Sequence, residues 1–191
     1  KVGVGCVKKS KKMKVLRKSC GAYDFCRCWF KYNDFYRYFY ILDFSDKLFF
    51  GAVEDDFILN GFEINRLSDI NRIEIKVDGC IKINRRLGLL DDTETPEIDP
   101  TSWRTAFESL AKTDLYIIII IQNQSTDSYH IGKIKEVREK SVVFKDFDAF
   151  GVWQHKVKIP FSEIALVRFA DRYSVNWISY LCSDKSKHTG K

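Results

Sequence analysis

Histidine and cysteine are the residue types in this sequence that could most readily bind a metal ion or act in catalysis. Neither the His-x-x-x-His nor the Glu-x-x-His spacing, which places two metal ligands on one helix face, occurs in the 191 residues. The sequence therefore contains no pattern for a histidine metal site. The residues concerned are His130, His155 and His188, together with Cys6, Cys20, Cys26, Cys28, Cys80 and Cys182.

Three of the cysteines lie close together in the sequence. Three roles are open to them: free thiols, zinc ligands or disulfide partners. Cys20, Cys26 and Cys28 are separated by five residues and by one, whereas zinc sites separate paired cysteines by about two to four, and no histidine is near. Disulfides need an oxidising compartment, and the basic start is not followed by the apolar run of a secretory signal. We therefore expect free thiols in a cytoplasmic protein, with no metal and no other cofactor.

The sequence lacks the local motifs of common enzymes. It has no Gly-rich phosphate loop and no Gly-x-Ser-x-Gly nucleophile elbow. The remaining enzymatic alternative pairs Cys80 with a distant histidine, but a structural thiol beside Gly79 is the expected role. The adjacent acids Asp91 and Asp92 lie in a polar linker, where we expect them to be solvated. We therefore predict a non-catalytic protein with no catalytic residues.

The positive charge is concentrated at one end of the chain. The chain carries a net charge of +6, and residues 1–38 hold eleven Lys or Arg against Asp24 and Asp34. Those counts give residues 1–38 a charge of +9, so residues 39–191 carry −3. A basic segment attracts nucleic acid or anionic lipid in a salt-sensitive way, whereas a slightly acidic body opposes a broad phosphate-binding surface. Of these interpretations we favour a solvated tail that binds no partner, with nucleic-acid binding by the basic segment as the alternative.

The apolar pattern predicts short strands. The run 115–121 is too short for a membrane helix, which needs about 20 residues, and its five consecutive Ile favour a strand buried on both faces. Asn60-Gly61 between two apolar segments predicts a hairpin. We therefore expect no membrane association. Further strands are predicted at 38–42, 47–53, 57–59, 62–64 and 72–77.

Two short helices are expected beside the strands. The apolar residues of 81–90 have a spacing compatible with a helix. A second helix is predicted after Thr101 or Ser102, either of which can cap it, because Trp103, Phe107 and Leu110 recur at helical spacing. Between them, 91–100 is acidic and contains two prolines, which predicts a linker.

The second half of the chain repeats the pattern of the first. Residues 158–169 align with 64–75 in one register, and upstream 129–134 is taken as the counterpart of 48–53 and 141–144 as that of 57–59. Matches at so many positions in one register indicate related halves. The matched pairs are Leu67 with Phe161, Ser68 with Ser162, Asp69 with Glu163, Ile70 with Ile164, Ile73 with Val167, and Ile75 with Phe169.

This order of segments resembles the Sm-like small barrel of the Sm and Hfq families. The resemblance is carried by LDFSDKLFFGAV and RLSDINRIEI in the first half and by YHIGKI and IPFSEIALVRF in the second, and it covers 39–77 and 116–169. It implies a mainly β fold with short helices, in which two Sm-like, SH3-like five-stranded small barrels are joined by a helical linker. The arrangement is also similar to an uncharacterised group of bacterial proteins with paired Sm-like halves.

The resemblance gives the following organisation. Residues 1–37 form a basic segment rich in Cys and aromatic residues that is disordered or non-native, 38–90 the first barrel with a short helix, 91–100 an acidic linker, 101–182 a helix with the second barrel, and 183–191 a polar tail.

The Sm-family RNA site does not carry over to this sequence. That site uses loops after the second strand and before the last, and here the corresponding segments include 54–56 and 68–71 in the first half and 136–138 and 162–164 in the second. Carboxylates in these segments repel a phosphate backbone. The Ser-acid-Ile segments are expected to be turns whose side chains bond local amides.

Two groups of residues are candidates for binding. Aromatic residues crowd the predicted hairpin tip of the second half, where they either close over the barrel or form a contact surface. Several arginines would form a basic patch if the helices bring them together. We expect a protein- or peptide-binding adaptor, with an RNA- or DNA-binding protein as the alternative. The candidates are Phe147, Phe150, Trp153 and His155 at the hairpin, and Arg72, Arg85 and Arg86 in the basic patch.

Overall fold

The computed structural model describes residues 3–32, 35–91, 93–122 and 127–188. The chain divides after Ser102 into two compact units, unit 1 (Lys1–Ser102) and unit 2 (Trp103–Lys191). Strands predominate in both, so the mainly β fold is confirmed, whereas the prediction that the helices are short was wrong for two of them, Gly3–Ser19 and Arg172–His188, which have 17 residues each. None of the helices in the described ranges combines the length and the apolar character needed to cross a membrane.

Unit 1 is built from a long helix, five antiparallel strands and a short helix. The strand order is β5-β1-β2-β3-β4, and one 3-10 turn, Leu67–Asp69, joins β4 to β5. The elements are α1 (Gly3–Ser19), β1 (Phe25–Phe30), β2 (Tyr36–Phe44), β3 (Leu48–Asp55), β4 (Ile58–Arg66), β5 (Ile70–Ile75) and α2 (Gly79–Arg86).

Unit 2 has the same plan. Its helix α3 carries the predicted apolar face, since Trp103, Phe107 and Leu110 are all buried. The strand order is β10-β6-β7-β8-β9, which matches that of unit 1 strand for strand. The elements are α3 (Trp103–Leu110), β6 (Ile117–Gln122), β7 (Asp127–Val137), β8 (Ser141–Phe147), β9 (Trp153–Pro160), β10 (Ile164–Phe169) and α4 (Arg172–His188).

The two units also share their irregularities. The β1–β5 pairing skips Asn71, and the β6–β10 pairing skips Ala165. A second shared bulge occurs at Leu42 in unit 1 and at Lys135 in unit 2. A third occurs at Val53 in unit 1 and at Asp146 in unit 2. A β-bulge is a specific feature of strand geometry, so three at equivalent positions indicate one fold used twice. The predicted register of 64–75 with 158–169 is therefore confirmed.

The upstream half of the predicted repeat was wrong by one strand. Residues 48–53 lie in β3, the third strand of unit 1, whereas 129–134 lie in β7, the second strand of unit 2. In the same way 57–59 belong mainly to β4, the fourth strand, and 141–144 to β8, the third. The first strand of unit 1 was not predicted, so each later strand of that unit was numbered one too low.

That missing strand lies in the segment 1–37, which the sequence predicted to be disordered or non-native. The segment contains α1 and β1, and β1 pairs with both β2 and β5. Cys26, Cys28 and Phe30 alternate on the core side of β1, where they pack with Leu16 of α1. Cysteine behaves as a small apolar residue in such a position, which hides the strand alternation in the sequence.

The predicted closed barrels are not seen. Within the described residues the pairings of each unit run in an open order, and neither unit pairs its fourth strand with its fifth. The sheet of unit 1 nevertheless curls, because β4 and β5 would lie about 19 Å apart in a flat sheet, whereas the Arg66–Ile70 link spans at most about 14 Å. The turn between them is held from both sides, since Lys31 N donates to Asp69 O (2.9 Å) and Leu67 N to Lys47 O (2.8 Å).

The core of unit 1 contains a buried ion pair. Glu63 is fully buried, and its carboxylate accepts a hydrogen bond from Arg37 Nη1 at 2.6 Å and from Asn65 Nδ2 at 3.1 Å. Arg37 Nη2 also donates to Asn65 Oδ1 at 3.2 Å. The guanidinium lies 4.4 Å from the centre of the Phe30 ring. Because Glu63 has no access to solvent, its charge depends on these partners.

The core of unit 2 is apolar at its centre. Four of the five Ile of β6 are buried, as the run predicted, and Ile120 is partly buried. Ile118 packs in a cluster with Phe147 of β8 and Leu181 of α4. Trp153 and Trp177 pack against this cluster, so α4 is held to the sheet by aromatic contacts.

Candidate functional site

The turn between β8 and β9 is held rigid by one aspartate. Asp148 Oδ1 accepts hydrogen bonds from the backbone amides of Phe150 (2.9 Å) and Val152 (3.0 Å). Its other oxygen, Oδ2, accepts from Gln154 Nε2 at 2.9 Å. Gly151 has φ +77°, which a residue with a side chain rarely adopts. The tip is therefore fixed before any partner arrives.

This tip forms one wall of an apolar groove of about 410 Å³, which we call the tip groove. Phe150 is 83% exposed, an unusual state for a phenylalanine, while Tyr173 and Tyr180 of α4 are about half exposed. The tip and α4 approach closely, since a Cβ on Gly151 would lie 3.0 Å from Leu181 Cδ2. The lining residues are Ala149, Phe150, Tyr173, Asn176, Trp177 and Tyr180.

The four predicted hairpin residues have different surroundings. Phe147 is buried, with its ring centre 5.1 Å from that of Trp177 and 5.5 Å from that of Trp153. Trp153 is partly buried in the same cluster, and His155 is exposed and does not line the groove. Phe150 alone of the four lies on the groove.

The α4 side of the groove was missed in the sequence. Tyr173, Trp177 and Tyr180 recur at spacings of four and three, which is the pattern of one helix face. We predicted no helix after residue 169, so the spacing of these aromatic residues was not assigned to a helix. The spacing was a usable signal.

A second surface lies on unit 1, on the side of β1, β2 and β5 that faces away from the core. Strand alternation places Arg27, Trp29 and Arg72 there, and the register sets Trp29 opposite both Tyr36 and Arg72. The guanidinium carbons of Arg27 and Arg72 lie 4.7 and 4.6 Å from the centre of the Trp29 ring. We call this surface the arginine–aromatic face; its residues are Arg27, Trp29, Tyr36, Tyr38, Arg72 and Glu74.

Glu74 partly neutralises this face. Its carboxylate pairs with both Arg27 and Arg72. The hydrogen bond from Arg27 lowers the pKa of Glu74 and raises the pKa of Arg27. Two guanidiniums against one carboxylate leave one net positive charge beside exposed aromatic rings. Burial raises the pKa of Tyr38 to about 12, so its hydroxyl stays neutral.

The predicted basic patch is divided between two places. Arg72 belongs to the arginine–aromatic face, whereas Arg85 and Arg86 lie on α2 and are exposed. Arg85 lines a separate pocket beside α2, together with Tyr40. The structure therefore does not gather Arg72, Arg85 and Arg86 into one cluster.

The potentially reactive groups are dispersed. Among the described residues no group of three or more His, Cys, Asp or Glu side chains is arranged to hold a metal ion. His130 Nδ1 lies 2.6 Å from Asp146 Oδ2 in unit 2. Burial raises the pKa of Cys26 to about 11, which keeps that thiol protonated and unreactive. The side chains of Cys6 and His188 lie outside the described residues.

The two surfaces differ in chemistry, one being apolar and the other cationic and aromatic. Comparisons of the chain with protein-family models, with curated proteins and with solved structures find no match. Function is therefore inferred from the side chains that the fold brings together.

Proposed function

We propose that this chain is a non-catalytic binding protein whose tip groove takes an apolar or aromatic segment of a protein partner. The observation that carries this proposal is the 83% exposure of Phe150 on a tip fixed by Asp148. Burying such a side chain in a complex contributes about 1.5–3 kcal/mol. Little ordering free energy opposes that gain, because the tip is already fixed.

The groove has the composition of a protein-binding hot spot. Tyrosine and tryptophan are enriched among the residues that dominate protein interfaces, and Tyr173, Trp177 and Tyr180 provide them here. Buried Phe147, with partly buried Trp153 packed against it, supports the wall that a partner would contact. A partner residue inserted between Phe150 and α4 would lose its contact with water on both sides.

The proposal is tested by selecting peptides from a random display library against the full chain. We expect enrichment of aromatic and large aliphatic residues, and a loss of peptide affinity of at least about tenfold for Phe150→Ser. Val152→Ser is the matched control, since Val152 is exposed on the same turn but does not line the groove. Peptides that bind Phe150→Ser and the parent chain equally well would refute the proposal.

A second candidate function is binding of single-stranded RNA or DNA on the arginine–aromatic face. The observation in its favour is the stacking of Arg27 and Arg72 over Trp29, because cations interleaved with aromatic rings are typical of such sites. We favour the tip groove, because Glu74 already pairs with both arginines and the guanidiniums occupy the ring that a base would need.

A titration with a fluorescent single-stranded RNA separates the two functions. If the second function holds, affinity falls steeply between about 50 and about 200 mM salt, and Arg72→Gln lowers the salt slope by about one. Arg138→Gln is the control, because Arg138 is an exposed arginine paired with Glu136 in unit 2. Binding that survives Arg72→Gln with an unchanged slope would exclude this face.

We further propose that each unit is a variant of the Sm-like small barrel, acting in the cytoplasm. The support for the fold is a helix followed by five antiparallel strands in the same order in both units, with one short turn between the last two. The support for the compartment is that Cys20, Cys26, Cys28, Cys80 and Cys182 are free thiols, as expected in a reducing environment.

A further inference from the structure

Unit 1 contains a cavity that is separate from the tip groove of unit 2 and that neither proposed function uses. It has a volume of about 390 Å³, within the range of small-molecule sites, and lies between the turn after α1 and the end of α2. Tyr23 and Leu89 form apolar walls, Tyr40 and Asn84 the inner part, and Arg85 and Asp91 lie near the opening. We call it the α2 pocket.

The inner part of the α2 pocket has an unsatisfied polar group. Asn84 is 2% exposed, and its Nδ2 donates to the Tyr40 hydroxyl at 2.9 Å. Its Oδ1 is buried and has no hydrogen-bond partner among the described residues. Buried polar atoms are nearly always paired in folded proteins, so the unpaired amide oxygen makes Asn84 an exception among the residues that line this cavity.

A buried carboxylate lies behind this amide. Glu54 is almost fully buried, accepts a hydrogen bond from Phe57 N at 2.8 Å and is also hydrogen-bonded by Asn84. Its burial raises the pKa of Glu54. Asn84 is thus held between Tyr40 and Glu54, and its position in the cavity is fixed by both.

The opening of the pocket carries one side chain of each charge. Arg85 is exposed and has no ion pair in the part of the chain that the structure describes. The Asp91 carboxylate lies beside Gly88, which has φ +62°. A Cβ on Gly88 would lie 2.8 Å from Asp91 Oδ2, so the glycine leaves room for this carboxylate. Arg85 would bind an anion, and Asp91 would accept a hydrogen bond from a hydroxyl or amine.

We propose that the α2 pocket binds a small organic anion with a planar ring, whose charged group pairs with Arg85 and whose ring lies between Tyr23, Tyr40 and Leu89. A guanidinium forms its strongest hydrogen bonds with carboxylate or phosphate. The aromatic and aliphatic walls favour a flat apolar body over a free inorganic ion. The ligand is therefore a ring-bearing carboxylate or phosphate.

Two fluorescent probes test this class and distinguish its two sources. 4-Methylumbelliferyl phosphate carries a planar ring with a phosphate, and 7-methoxycoumarin-4-acetate a similar ring with a carboxylate. Titration of the full chain, followed by fluorescence polarisation, should show saturable binding of at least one. Inorganic phosphate and 4-methylumbelliferone, which are the two halves of the first probe, should compete at least about tenfold more weakly than the intact probe.

Two neighbouring arginines provide a matched pair of variants. Arg85→Gln should weaken binding of the probe by about tenfold or more, because it removes a charge-assisted hydrogen bond. Arg86→Gln makes the same change of charge one residue away, outside the pocket, and should leave the affinity within about twofold. Leu89→Trp should abolish binding by filling the cavity, with circular dichroism confirming that the variant is folded.

Several results would overturn the proposal. These are the absence of saturable binding for both probes, an equal loss for Arg85→Gln and Arg86→Gln, and full binding by folded Leu89→Trp. Phe150→Ser should leave probe binding unchanged, so a failure here is distinguishable from a failure of the tip groove.

Discussion

Units 1 and 2 share a strand order and three bulges but differ in what they bury at equivalent positions. The shared register makes Arg37 equivalent to His130, Glu63 to Val157, and Asn65 to Ile159. Unit 1 therefore places a buried ion pair with an amide where unit 2 has two aliphatic residues and a partly exposed histidine. One backbone plan therefore accepts either chemistry at these core positions.

The helix that follows the fifth strand shows the same contrast. Glu54 in unit 1 is equivalent to Phe147 in unit 2. Asn84 of α2 bonds Glu54 and Tyr40, whereas Trp177 of α4 packs on Phe147. The helix of unit 1 is thus docked by hydrogen bonds and borders a polar pocket, while that of unit 2 is docked by aromatic rings and borders an apolar groove.

The largest effect is expected from breaking the buried ion pair. Arg37→Leu leaves the Glu63 carboxylate buried without its charged partner, which should lower the free energy of unfolding by about 3–5 kcal/mol. Urea unfolding followed by circular dichroism measures this. The triple change Arg37→Leu, Glu63→Val and Asn65→Ile makes all three positions aliphatic, with positions 63 and 65 as in unit 2, and should recover most of the loss. If Arg37→Leu alone costs less than about 1 kcal/mol, the pair is not the source of stability.

A smaller effect is expected at the closest backbone approach in unit 2. Gly132 is equivalent to Phe39, yet a Cβ on Gly132 would lie 2.1 Å from Lys145 O. Gly132→Ala should therefore lower the free energy of unfolding by about 1–3 kcal/mol by forcing β7 and β8 apart. Gly79→Ala is the control, because a Cβ there meets nothing within 4 Å. An unchanged urea midpoint for Gly132→Ala would contradict the close approach.

The polar docking of α2 predicts a pH dependence that the aromatic packing of Trp177 on Phe147 does not provide. Burial raises the pKa of Glu54 above its ordinary value of 4.5, so the folded state favours the protonated form. The stability from this group is fully present below pH 4.5 and is lost as the pH rises through the folded pKa. Glu54→Gln should thus gain stability relative to the parent at pH 7 but not at pH 4, as measured by thermal unfolding. A constant difference between the two pH values would contradict this assignment.

The smallest effect is expected where cysteine replaces an aliphatic residue. Cys28 is equivalent to Ile119 and is fully buried. Cys28→Val should change the free energy of unfolding by less than about 1 kcal/mol, because the apolar volume is nearly kept. Cys28→Ser is the sharper comparison, since burying a hydroxyl should cost about 1–3 kcal/mol. A larger loss for Val than for Ser would mean that the thiol has a polar role.

The sequence allowed the fold to be predicted where local pattern and tertiary position agree. The Ser-acid-Ile turns were placed correctly, because Ser68 and Ser162 lie between clear apolar alternations, and the strand predicted at 72–77 overlaps β5, which begins and ends two residues earlier. β1 was missed because Cys26 and Cys28 do not look like core residues beside Arg27 and Trp29.

Most of the candidate site could not be predicted, because it depends on contacts between distant elements. The tip groove needs α4 to lie beside the β8–β9 turn, and no local pattern in the turn fixes that placement. Phe150 and Phe147 are three residues apart and equally apolar, yet one is exposed and the other buried. The difference comes from tertiary packing, because Phe147 contacts Trp153 and Trp177.

The position of β1 between β2 and β5 also determines the order in which the strands of unit 1 can pair during synthesis. β1 leaves the ribosome before its neighbours, but its partner β5 follows about 45 residues later along the chain, whereas β2, β3 and β4 come in turn beside it. Strands β1 to β4 can therefore pair as successive hairpins while they emerge. Strand β5 pairs last, and its pairing with β1 is slow because the two strands are far apart in the sequence. Shortening the chain to begin at Tyr38 would remove β1, the one strand among the described residues of unit 1 that pairs with β5, and would leave the Leu67–Asp69 turn without the amide of Lys31.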